Sequence, residues 1–154
     1  MSEKSNNDVD DEFRAILEGL RTTLPGVQVL FAFLLTLPLQ SAFAEIRDLE
    51  RYAYYVAFFG SAMASVLLIA PSAHQRLRAP ITGVGRRSRR HLQITVNLTI
   101  AGTVIFAIAL AAAVFLISTL VLPKDSQALA ATGAVTALIL WSWFFIPFVT
   151  FERK

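Results

Sequence analysis

Gln28, His74 and Asn97 are the residues of this chain best placed to do chemistry, because each stands at the edge of a long apolar stretch. Gln28 lies just inside the start of the first stretch. His74 follows the end of the second, and Asn97 lies near the start of the third. In an antiparallel arrangement these three edges share one membrane face. A side-chain amide in a low-dielectric surrounding needs a hydrogen-bond partner. One reading is a structural bond between Gln28 and Asn97 that joins two helices. The other is a small polar site with His74 as its titrating member. Glu45 closes the far end of the first stretch, where its plainest role is an interfacial ion pair with Arg47 or Arg51. Thr36, Gln40 and Ser41 can satisfy backbone atoms freed by Pro38, which is expected to kink the first span.

Other chemistry is harder to place. The chain has no cysteine, so disulfides, thiolate metal sites and cysteine nucleophiles are excluded. His74 and His91 have no carboxylate at ligand spacing. No phosphate-binding loop, nucleophile elbow or pair of catalytic carboxylates is present. The expectation is a protein with no cofactor and no metal, and not an enzyme. Proton relays and cation antiporters use ionisable groups in mid-membrane, and the apolar stretches contain none there.

The elements that must position these residues are helices. Gly26–Ala44, Tyr52–Ala73, Leu92–Leu122 and Ser126–Phe151 contain no Asp, Glu, Lys or Arg. A bilayer core of about 30 Å needs roughly 20 apolar residues at about 1.5 Å each. Only helices and closed barrels satisfy their backbones in lipid, and these residues do not alternate as barrel strands do. Hydrophobic residues make up 55% of the chain and charged residues 16%, against about 25% charged in a soluble domain. The fold expected is an all-α, integral-membrane, antiparallel four-helix bundle. Its spans are about 26–44, 52–71, 94–122 and 127–149, within a transmembrane domain of residues 25–151.

Residues 1–24 read as an acidic cytoplasmic tail without a signal peptide, so the first span is expected to direct its own insertion. Residues 1–11 have the composition of an unstructured segment. Val9, Phe13, Ile16, Leu17, Leu20 and Leu24 then follow helical spacing and predict a short amphipathic helix. It lies either on lipid or on the bundle's own inner surface. Pro25-Gly26 is expected to break the chain before the first span.

Ala53, Ala57, Ser61 and Ser65 recur every four residues in the second span, with Gly60 and Ala64 beside them. Small residues at this interval let helices approach closely, so this face reads as a packing seam. Residues 72–93 read as a basic cytoplasmic loop carrying Arg86, Arg87, Arg89 and Arg90, a run suited to anionic lipid or to fixing orientation. The charges are too localised for nucleic acid. Both termini and this loop share one side, which holds eleven basic residues against three on the other. The positive-inside rule places that side in the cytoplasm of a bacterial inner membrane. The fourth span ends in Trp141, Trp143, Phe144, Phe145, Phe148 and Phe151, as an interfacial aromatic belt would.

Gly26-Val27-Gln28, followed by Phe31-Ala32-Phe33-Leu34-Leu35-Thr36-Leu37-Pro38, resembles a bacterial, mainly actinobacterial, family of small four-span proteins of unknown function. Ala70-Pro71, His74, Arg76 and Asn97 extend the resemblance, which covers about residues 15–150. It implies the four-span fold. Some members carry a sodium:proton antiporter label, which fits poorly with a chain lacking a mid-membrane carboxylate. The function expected is association in the membrane, with a second copy or a larger complex. The alternative is a small ion transporter or channel subunit using the Gln28, His74 and Asn97 cluster.

Overall fold

The computed structural model describes residues 2–82 and 89–146. They form four α-helices: α1 (Ser2–Thr36), α2 (Asp48–Thr82), α3 (Arg89–Val121) and α4 (Asp125–Ile139). Two 3₁₀ turns, Leu37–Leu39 and Ser41–Glu45, link α1 to α2, and a π-helical turn, Leu140–Phe145, continues α4. No strand occurs among the described residues, and the fold is all-α. Three segments are long and apolar enough to cross a membrane: Asp11–Leu39, Asp48–His74 and Leu92–Val121. α4 is 15 residues long, less than the roughly 20 that a bilayer core requires. The last residues of the expected fourth span, 147–149, lie outside the described residues.

Two expected breaks are absent, and one expected kink is a helix end. α1 begins at Ser2 and runs through Pro25, so neither an unstructured start nor a separate amphipathic helix is seen. A mid-helix proline removes one backbone hydrogen bond. Here the carbonyl left without its donor is that of Arg21, and buried Leu20 and Val27 on either side hold the helix. α2 likewise passes Pro71, whose ring is fully buried, and reaches Thr82. Most of the expected 72–93 loop is therefore helical. Pro38 does not kink a continuing helix; α1 has already given way to the first 3₁₀ turn.

Buried positions follow a seven-residue period. In α1 they are Phe13, Leu20, Val27 and Leu34. In α2 they are Glu50, Tyr54, Ala57, Ser61, Ala64, Leu68 and Pro71, in alternating steps of four and three. In α3 they are Thr95, Gly102, Phe106, Ala109, Ala113 and Leu116. A repeat of 3.5 residues is the signature of coiled-coil-like seams.

The helices contribute to two compact units. One comprises Met1–Ala32 and Ser61–Phe106, the other Phe33–Gly60 and Ala107–Lys154. In the first, Leu20 and Val27 of α1 join Ala64 and Leu68 of α2 and Phe106 of α3 in one core. Ile16, Leu17 and Leu24 pack against it, so the N-terminal apolar stripe is covered by its own chain. α2 and α3 approach closely at Gly102, where an added Cβ would lie 2.8 Å from Leu68 Cδ2 and Cγ. In the second unit, Tyr54 Oη donates to the Leu34 carbonyl at 3.2 Å. The same ring meets Phe43 edge-on, with centroids 4.8 Å apart.

Candidate functional site

The densest polar arrangement lies in the second unit, at the start of α2. Arg47 directly precedes the helix and Glu50 is its third residue. Glu50 Oε2 accepts the Arg47 backbone N–H at 2.8 Å. This is the return half of a capping box, and the Asp48 and Glu50 charges suit the positive end of the helix. The Arg47 side chain then folds back, with Nε and Nη2 donating to Glu50 Oε1 at 3.0 and 2.8 Å.

The same guanidinium reaches α4. Nη1 donates to Asp125 Oδ2 and Nη2 to Asp125 Oδ1, both at 2.9 Å. Such a two-pronged pair fixes geometry as well as charge. Thr119 of α3 lies beside Glu50, but its hydroxyl proton goes to the Leu116 carbonyl at 2.8 Å. Arg47, Glu50 and Asp125 thus form a clasp between the start of α2 and the start of α4. Glu50 is 5% exposed, whereas the Asp125 side chain is 69% exposed. Hydrogen bonds from Arg47, then its charge, hold the Asp125 carboxyl below the usual carboxylate range. Both Glu50 oxygens already accept donors, so the arrangement acts as a latch and leaves no free acid or base.

Sequence reasoning missed most of this clasp. It paired Glu45 with Arg47 or Arg51, but Arg47 binds Glu50 and Asp125, Arg51 lies 3.7 Å from Asp48, and Glu45 is exposed. The signals were the three-residue interval from Arg47 to Glu50 and the place of Asp125 immediately after Pro123-Lys124.

Gln28, His74 and Asn97 all belong to the first unit, and each is exposed. No hydrogen bond among the described residues joins them, so the expected Gln28–Asn97 bond is not formed. The polar face of α3 satisfies itself instead: Thr99 donates to the Thr95 carbonyl and Thr103 to that of Thr99, both at 2.9 Å. Such back-bonding serves hydroxyls inside a helix. In α2, Ala57, Ser61 and Ala64 are fully buried. Ala53, Gly60 and Ser65 are half-buried, and Ser65 donates to the Ser61 carbonyl at 2.9 Å. Arg89 and Arg90 open α3, and Arg86 and Arg87 lie outside the described residues. Trp141 stacks on Phe145 at 4.6 Å, and both rings are exposed. No group of three or more potential metal ligands occurs among the described residues.

Fold and site together define an all-helical protein with three membrane-length apolar helices and a polar clasp near the helix ends. The chain belongs to a family of unknown function, DUF6328, whose family model matches residues 2–147. No curated protein and no solved structure is significantly similar to it.

Proposed function

We propose that this is a non-enzymatic, multi-pass protein of a bacterial inner membrane that works by helix association, with four spans and both termini in the cytoplasm. One observation carries the reading. Only 17%, 28% and 22% of the most apolar windows of α1, α2 and α3 is buried within the chain. Val29, Leu39, Tyr52, Phe59, Val66 and Leu129 are each at least 60% exposed. A soluble monomer rarely shows apolar patches beyond a few hundred Å². Lipid, or other helices in lipid, covers these faces.

The four-span reading takes α4 and its π-helical continuation as the last crossing, with Trp141 and Trp143 near the cytoplasmic interface. α2 holds 35 residues, or roughly 50 Å of helix, against a bilayer core of about 30 Å. We assign the excess to the cytoplasmic end, where a basic segment suits anionic headgroups. Alkaline carbonate extraction of expressing bacterial membranes tests the reading. The protein should stay in the pellet, and release into the supernatant would refute it.

A further inference from the structure

Asp11, Arg14, Glu18, Arg21, Pro25, Gln28 and Ala32 lie along one face of α1 in alternating steps of three and four, and all seven are exposed. This is a second seven-residue stripe, beside the buried one of Phe13, Leu20 and Val27. Its charges alternate in sign from Asp11 to Arg21. No ion pair among the described residues uses them. Its upper part enters the charge-free run, where Gln28 has no hydrogen-bond partner among the described residues. Gln28 lies seven residues beyond Arg21, roughly 10 Å along the helix, inside the candidate span Asp11–Leu39.

We infer that this face of α1 is the contact surface for a second copy of the same chain, paired in parallel about a two-fold axis. The inference rests on the membrane reading above. Copies inserted by the same signals share one orientation, so equal residues meet at equal depth. A carboxamide carries both donor and acceptor, so two Gln28 side chains satisfy each other across the axis. In hydrocarbon that exchange removes the cost of a bare amide. Below it, the charged part of the stripe leaves the hydrocarbon, and like charges at equal depth are offset by opposite charges one step up or down. The stripe is self-complementary in its amide, which a lipid-facing surface has no reason to be. Ala32, one turn above, lets the backbones come close.

The natural absence of cysteine allows a clean test by disulfide trapping in native membranes. Ala32→Cys lies on the stripe, whereas Gly26→Cys is equally exposed but about 160° around the helix from Gln28. Mild oxidation should give a covalent dimer with Ala32→Cys and several-fold less with Gly26→Cys. Adding Gln28→Leu to Ala32→Cys should lower the dimer yield about threefold or more, and Gln28→Asn should largely restore it. Circular dichroism of each variant confirms retained helix. Equal trapping at both positions, or yields unmoved by Gln28→Leu, would overturn the inference. Carbonate extraction of the same samples separates the two failures: protein that stays in the membrane without trapping refutes only the paired face.

Discussion

At the residue scale the clasp makes the sharpest demands. Glu50 is nearly buried and both its oxygens accept from Arg47. Removing its charge leaves the Arg47 N–H and guanidinium with a poorer partner. Glu50→Gln should therefore destabilise the fold by about 1–3 kcal/mol, read from thermal unfolding in nanodiscs, while Glu45→Gln should be close to neutral. Equal effects would mean that the clasp is not the anchor. Asp125 answers to pH. Its folded pKa lies below the unfolded value, so its pairing contributes stability above the ordinary aspartate range, near pH 4. That contribution is lost as pH falls through the depressed folded value. The pair is exposed, so the gain is small and screened by salt. Melting temperatures of the natural protein and Asp125→Asn should differ at pH 7 and converge towards pH 3. A gap that holds constant on acidification would assign the effect to something other than this carboxylate.

At the scale of elements, the close approach of α2 and α3 turns on one atom that is missing. A Cβ at residue 102 would sit 2.8 Å from two atoms of Leu68 and 3.3 Å from Leu67 Cβ. Leu68 is fully buried and cannot swing aside freely. Gly102→Ala should cost about 1–3 kcal/mol through overpacking. Leu68→Ala, which alone opens a cavity, should cost less in the Gly102→Ala background; additive losses would mean that the two residues do not share the contact. The sequence revealed the helices and their apolar character, because missing charge over twenty residues is a strong signal. It also showed Ala57, Ser61 and Ala64 as small residues on α2. The seven-residue stripe was obscured because Glu50, Tyr54 and Pro71 belong to it and do not look like core. Helix ends misled for a related reason. Pro25 and Pro71 break helices by local rule, but buried neighbours on both sides outweigh one lost hydrogen bond. Gly102 gave no signal, since its importance lies in Leu68, thirty-four residues away, and no local pattern encodes that. The clasp was half visible: the Arg47–Glu50 interval is local, whereas the reach to Asp125 is not.

For the whole molecule, the same charges bear on orientation and on transport. Eleven basic residues on one side of the four-span reading against three on the other predict cytoplasmic termini. Reporter fusions after residue 48, after residue 85 and at the C-terminus should read outside, inside and inside; a C-terminus outside would leave an odd number of spans and remove α4 from the membrane. Transport is the stricter question. Exchange of sodium for protons needs a group that binds and releases an ion within the membrane. Glu50 is the carboxylate buried at the edge of an apolar segment, at the first turn of α2 rather than at mid-span. Arg47 occupies both of its oxygens. Sodium would have to displace a guanidinium already held by two carboxylates, and a proton would have to break the capping bond at the start of α2. His74 is exposed, beyond the charge-free part of the same helix. Purified protein in liposomes should therefore show no sodium-driven proton flux under a fluorescent pH probe. A flux that disappears in Glu50→Gln, with helix content and membrane insertion unchanged, would reverse the argument. The clasp would then be an ion gate, with Arg47 as the competitor that sodium displaces.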